Sequence, residues 1–168
     1  MNVEDRDVVL RRIQDLEAIK QLKAKYFWCV DKKLWIDWAS VFTEDIEADF
    51  SDDFSRLAGR PIDGVIRGRH KLVSMISASL PKEITSVHQG HMPQIEFTGP
   101  DTATGVWQLQ DCIDDGDRQL IGFGYYRDGY VRQNGQWLIK RFALERLLVE
   151  WRVKEKVSPP ERLRALFQ

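Results

Sequence analysis

Cysteine is nearly absent from this chain: Cys29 and Cys112 are the only two in 168 residues. Neither belongs to a Cys-x-x-Cys pair or has zinc-site spacing, so two buried free thiols are expected. Histidine is almost as scarce, and His70, His88 and His91 form no His-x-x-x-His or His-Glu pair. A metal site is therefore not expected. An excess of either charge is missing too. With 25 basic and 26 acidic residues mixed along the chain, the net charge of -1 provides no field to steer nucleic acid or an anionic membrane. No signal peptide and no apolar run of membrane-spanning length appears, so the expected compartment is the cytoplasm. Repeats and low-complexity tracts are absent as well. Aromatic residues, by contrast, are plentiful. Trp28, Trp35, Trp38, Trp107, Trp137 and Trp151 are spread along the chain, and rings this wide suit an interior that is filled or left open for a flat ligand.

The length suits one domain with a real core, read as residues 1–150 followed by a 151–168 tail. From Glu4 to Val30 the sequence reads as one helix. Ile13, Leu16, Ile19, Leu22, Tyr26 and Cys29 recur every three or four positions, while Arg11, Arg12, Lys20, Lys23 and Lys25 read as solvated. Trp35, Trp38, Ala39 and Phe42 mark one face of a second, shorter helix. Thr43-Glu44-Asp45 reads as a turn, Ile46 to Phe50 as a half-buried strand, and the glycine-rich stretch from Ser51 to Gly68 as a long loop suited to act as a lid. Helical spacing returns from Arg69 to Leu80 and stops at Pro81. Strands then follow, bounded by turn signals: His88 to Phe97, Ala103 to Ile113, Arg118 to Arg132 and Gln136 to Val149. Helices followed by an antiparallel meander indicate an α+β domain whose curved sheet wraps the helices. A short helix from Glu161 to Gln168 is expected after Ser158-Pro159-Pro160.

The chemistry is expected where the first helix ends, in Lys25-Tyr26-Phe27-Trp28-Cys29-Val30-Asp31. A phenol and a carboxylate sit there among large apolar side chains, and His88 is the candidate third member. Five residues separate Tyr26 from Asp31, which on a helix leaves them roughly 140° apart, so they share a cavity only if the helix ends near Val30. Taken singly, Tyr26 reads as a core phenol, Asp31 as a helix-end residue and His88 as a strand residue beneath a helix. Asp111 shares a strand face with Trp107 and Leu109 unless a bulge intervenes. Arg141 and Arg146 have opposite parity on the last strand. Arg141 shares a face with Trp137 and Ile139 and is the inward candidate. Trp28, Phe54, Met75, Trp107 and Tyr126 are candidate pocket walls.

The stretches Leu16 to Tyr26, Asp31, Trp35, Val41 to Asp45 and Gly129 to Ile139 together resemble the SnoaL-like branch of the nuclear transport factor 2-like superfamily, over residues 8 to 149. The resemblance implies a cone-shaped α+β barrel with a curved, mixed or antiparallel sheet around N-terminal helices and an internal apolar pocket. The fold hosts dehydratases, isomerases, cyclases, epoxide hydrolases and binding modules. Scytalone dehydratase and bile acid 7α-dehydratase suggest the chemistry implied here. Tyr26, Asp31 and His88 match three positions of their pattern, and Asp111 is the candidate for the fourth. The implied function is a cofactor-free dehydratase or isomerase acting on a hydrophobic polycyclic, steroid-like or polyketide carbonyl compound. His88 would be the base, oriented by Asp111, with Tyr26 on the carbonyl and Asp31 holding Tyr26 or protonating the departing hydroxyl. A noncatalytic binding or assembly domain is the alternative of another class. Epoxide hydrolysis is a third, if Asp31, Arg141 and Asp111 form an Asp-Arg-Asp arrangement. The resemblance also implies a dimer or trimer.

Overall fold

The computed structural model describes residues 3–154, and the expected helix at Glu161 to Gln168 lies outside the described residues. The chain begins with α1 (Val3–Asp31), α2 (Trp35–Ala39), β1 (Phe42–Asp49), α3 (Ser51–Ala58), β2 (Val65–Arg67) and α4 (Arg69–Ser79). Four long strands follow: β3 (Thr85–Phe97), β4 (Thr102–Asp114), β5 (Arg118–Gln133) and β6 (Gln136–Val153). They form one curved six-stranded sheet in the order β2-β1-β6-β5-β4-β3. It is mixed, because β1 runs parallel to β6 while every other pair is antiparallel.

Helix α1 packs on the sheet with only its second half. Its buried positions are Asp15, Ile19, Lys23, Tyr26, Cys29 and Val30, at the three- and four-residue steps of one helical face. Ile13 is exposed instead. Lys23, expected in solvent, is fully buried because its ammonium meets Asp128 at 2.8 Å across the core. The helix ends where Lys33 adopts a left-handed backbone, φ 58°, and Leu34 N–H donates to the Cys29 carbonyl at 2.9 Å. That terminus turns Asp31 away from the helix axis towards β3.

Two local expectations fail. Thr43-Glu44-Asp45 is part of β1 rather than a turn, and the β1–β6 register shifts between Phe42 and Glu47 to accommodate it. The stretch from Ser51 to Gly68 is not one loop but contains α3 and β2. Left-handed Gly59 ends α3. At Gly64 a Cβ would lie 2.7 Å from the Phe50 backbone, so only glycine lets the returning chain close this excursion. β6 runs on to Val153, past the Val149 limit read for the last strand.

The core is aromatic. Tyr26 sits 5.4 to 6.0 Å, centroid to centroid, from the rings of Phe27, Trp38, Phe42, Tyr126 and Phe142, mostly edge to face, as ring quadrupoles prefer. No helix among the described residues is long and apolar enough to cross a membrane.

Candidate active site

Between the C-terminal end of α1, the inner face of β3–β6 and the cover made by α3 and α4 lies a cavity of about 180 Å³. Tyr26, Val30, Trp38, Phe50, Phe54, Met75, Ile76, Tyr126 and Leu144 form apolar and aromatic walls. His88, Asp53, Asp111 and Arg146 add polar groups. A larger groove of about 770 Å³ runs beside the first turns of α1, but it contains none of the residues expected to do chemistry.

His88 and Asp31 form a tight pair. His88 Nδ1 lies 2.7 Å from Asp31 Oδ1, and the His88 backbone N–H donates to Oδ2 at 2.9 Å. Ser86 donates its hydroxyl to Asp31 Oδ1 at 3.0 Å and receives the Lys33 ammonium at 2.6 Å. An ionised carboxylate only accepts, so Nδ1 carries a hydrogen, and in the neutral ring the lone pair is then on Nε2. Among the described residues no hydrogen bond occupies Nε2. Burial pulls the Lys33 pKa below the ordinary lysine value, while the Asp31 charge works against that.

Asp111 does not orient His88, although the two are direct cross-strand partners between β3 and β4. Arg146 holds its carboxylate at two points instead, Nη1 to Oδ1 at 2.6 Å and Nη2 to Oδ2 at 2.8 Å. Its Nε donates to Asp53 at 2.8 Å, completing an Asp53–Arg146–Asp111 cluster. Helix α3 is tied to the same residue through its main chain. The Arg146 N–H donates to Asp52 at 2.7 Å, and Arg56 donates to the Arg146 carbonyl at 2.6 Å. Burial opposes the charge on Arg146, but the bonds and charges of Asp111 and Asp53 outweigh it and raise the guanidinium pKa above its usual value. The cluster lies over Gly122, where a Cβ would overlap both Arg146 and Asp111.

The Tyr26 and Tyr126 rings meet edge to face, with centroids 5.9 Å apart. Burial raises both phenol pKa values, with nearby carboxylates adding to the effect. Both are therefore neutral hydroxyls that can donate or accept.

The structure brings Tyr26, His88, Asp111, Phe54, Met75 and Tyr126 to one cavity, with Asp31 directly behind His88. It leaves out the other three expected residues. Trp28 is 62 % exposed, because it lies on the outer side of the helix from Tyr26. Trp107 is buried but away from the cavity, donating its indole N–H to Tyr130 at 2.8 Å. Arg141 points outward and faces Glu47. The parity argument fails at Arg141 because Gly129 pairs with Arg141 and Tyr130 with Ile139, leaving Lys140 as an extra residue. That bulge inverts the alternation, so Phe142, Leu144 and Arg146 face inward. Arg146 was therefore a missed cavity residue, and the visible signal was a cation set between Ala143-Leu144 and Leu147-Leu148. Asp53 and Trp38 were missed as well, since nothing local distinguishes them. His70 and His91 are exposed. Among the described residues no group of three or more His, Cys, Asp or Glu could hold a metal.

A family model described as SnoaL-like domain matches residues 11–143. Among solved structures, a hexachlorocyclohexane dehydrochlorinase, LinA type 3 from Novosphingobium barchaimii, superposes with TM-score 0.73 at 18% identity, covering 90% of this chain and 99% of that one. A candidate scytalone dehydratase from Novosphingobium aromaticivorans gives 0.71 at 19%, covering 90% and 96%. A protein of unknown function from Mycobacterium tuberculosis gives 0.69 at 26%, covering 82% and 75%. The first two likenesses carry the fold alone.

Proposed function

The chain belongs to the SnoaL-like domain family, and from that membership and the chemistry of the cavity we propose that it is a cofactor-independent lyase, acting as a dehydratase, or an isomerase using the same proton transfer. One observation carries the reading: an imidazole with Nδ1 fixed on a carboxylate at 2.7 Å and Nε2 unoccupied lines the same cavity as a pair of neutral phenols. His88 Nε2 takes the proton α to a carbonyl, and the electron pair moves onto the carbonyl oxygen. The Tyr26–Tyr126 pair donates a hydrogen bond to that oxygen as charge develops there. The enolate then re-forms its carbonyl and expels the β-hydroxyl, which leaves as water with the proton carried by His88. Asp31 stabilises the transient imidazolium and fixes its ring, a different role from the one the family pattern implied. Names within the fold fit this reading, since a dehydrochlorinase and a candidate scytalone dehydratase share it.

The size of the cavity narrows the substrate. A volume of about 180 Å³ is close to the ~150 Å³ that holds one benzene ring and below the ~300 Å³ lower end of drug-sized sites. A single-ring carbonyl compound therefore fits better than the polycyclic or steroid-like one suggested by family resemblance. The test is turnover of single-ring β-hydroxy ketones by the wild type, His88→Ala and Asp31→Asn, with products read by mass spectrometry and folding by circular dichroism. Losing the base should reduce turnover about 100- to 10,000-fold. An accepted substrate turned over at full rate by His88→Ala would remove His88 from the mechanism.

A second reading rests on the Asp53–Arg146–Asp111 cluster. Two carboxylates bridged by a guanidinium could activate water against an epoxide. This is the arrangement sought in the sequence, with Arg146 and Asp53 in place of Arg141 and Asp31. Hydrolysis of this kind would collapse in Asp111→Asn and survive His88→Ala, the reverse of the dehydratase pattern. We also propose a cytoplasmic homo-oligomer, a dimer or trimer, formed over exposed apolar side chains on β5 and β6, among them Phe123, Leu147, Leu148 and Trp151. Light scattering that returns a monomer's mass would reject the oligomer.

A further inference from the structure

Lys33 stands at the helix end that delivers Asp31 to His88, and lysine is a costly choice there. Its backbone is left-handed, φ 58°, a conformation that glycine or asparagine ordinarily supplies after a helix, because a larger side chain crowds the neighbouring carbonyl. Its ammonium is half-buried, and among the described residues its hydrogen bond goes to the neutral Ser86 hydroxyl at 2.6 Å rather than to a carboxylate. Backbone strain and lost hydration both weigh against lysine at this position. What the side chain contributes in return is direction.

An ammonium only donates, so Ser86 Oγ accepts from Lys33 and keeps its own hydrogen for Asp31 Oδ1, 3.0 Å away. Ser86 is 5% exposed, which leaves its hydroxyl little water to turn to. Asp31 Oδ1 thus accepts from both Ser86 and His88 Nδ1, the latter at 2.7 Å, while Oδ2 accepts the His88 backbone N–H at 2.9 Å. The carboxylate is held at both oxygens, and the carboxylate in turn holds the imidazole ring. Without the ammonium the Ser86 hydroxyl is free to rotate, and a restraint on Oδ1 goes with it. Neither Lys33 nor Ser86 lines the cavity.

Resting on the reading of His88 as the base, we propose that Lys33 is a positioning residue, acting through Ser86 and Asp31 to hold the His88 ring in its reactive orientation. A slight misplacement of the reacting groups slows proton transfer strongly. Substrate binding is spared, because the chain of bonds lies behind the ring. The rival account is that Lys33 only closes the helix.

Lys33→Gly separates the two roles, because glycine takes the left-handed backbone without strain and removes only the side chain. The melting temperature of this variant is expected at or above the wild-type value. Its kcat for β-hydroxypropiophenone, a single-ring β-hydroxy ketone, should fall about tenfold, the effect of one lost charge-assisted hydrogen bond, with KM unchanged. Ser86→Ala should lose the same factor, and Lys33→Gly/Ser86→Ala no more than either alone, since the two residues act in series. Full turnover by Lys33→Gly, or losses that multiply in the double variant, would overturn the proposal. So would a loss of turnover matched by a fall in melting temperature. The hydrogen on His88 Nδ1 gives a readout that needs no substrate. In ¹⁵N-labelled full-length protein its exchange with water should be about ten times faster in Lys33→Gly and Ser86→Ala than in the wild type. Unchanged exchange would overturn the proposal whatever the reaction. Faster exchange in a protein that leaves the ketone unconverted would uphold the role of Lys33 and overturn the dehydratase reading instead. A wild-type ring with its hydrogen on Nε2 alone would overturn both.

Discussion

Replacing Arg146 with methionine tests how the cavity is held together. The side chain of Arg146 is 5% exposed and that of Asp111 2%, and three of its N–H groups are committed to carboxylates at 2.6 to 2.8 Å. Methionine fills much of the same volume and removes every one of those bonds, leaving Asp111 and Asp53 charged in a site without a cation. Removing one partner of a buried pair costs about 3–5 kcal/mol, because the penalty comes from the charge left behind. For a chain of this size that corresponds to a fall in melting temperature of roughly 10 °C. The double variant Arg146→Met/Asp111→Leu removes the more deeply buried of the two stranded carboxylates and leaves Asp53, so it should recover part of the loss, since well-packed apolar replacements of buried pairs are often neutral. Urea unfolding of the wild type, both single variants and the double variant gives the coupling energy directly. A cost below about 1 kcal/mol for Arg146→Met, the range of an exposed pair, would refute the reasoning and imply that water reaches the cluster.

The second buried pair makes a parallel prediction on the other side of the phenols. Lys23 and Asp128 are both wholly buried and 2.8 Å apart, and burial pulls the lysine pKa down while Asp128 opposes it. Lys23→Met should cost about 3–5 kcal/mol in urea unfolding, with Lys23→Met/Asp128→Leu recovering most of it. A double variant no more stable than the single would count against the argument. At the β4–β5 turn, bonds from Lys154, Gln119 and the Gly116 N–H hold Asp114 down to a pKa of about 2, against 3.8 unfolded. A depressed carboxylate stabilises the fold above its unfolded pKa and loses that contribution as pH falls through its folded one. The melting-temperature advantage of wild type over Asp114→Asn should therefore be full above about pH 5, shrink as pH falls and vanish by about pH 1. An advantage undiminished at pH 2 would mean Asp114 acts through packing.

Periodicity and punctuation in the sequence determined the order of the elements other than α3 and β2, which lie in the stretch read as a loop. Three-and-four spacing with no glycine or proline made α1, and turn residues at 98–101, 114–117 and 133–135 marked the limits of the long strands. The alternation of Trp107, Leu109 and Asp111 was also legible, because β4 pairs with β5 without a bulge and an unbroken strand keeps its parity. Tertiary structure decided which carboxylate serves which cation. His88 and Asp111 face each other across two strands, yet His88 bonds to Asp31 because α1 stops at a left-handed Lys33 and delivers that carboxylate to β3. Asp111 bonds to Arg146 because an extra residue at Lys140 turns the far end of β6 inward and Gly122 leaves room above the sheet. Helix ends, bulges and cross-strand clearances arise only when separate segments meet. A local pattern can show that a charge lies within an apolar strand, but the opposite charge that offsets its burial comes from a distant part of the chain.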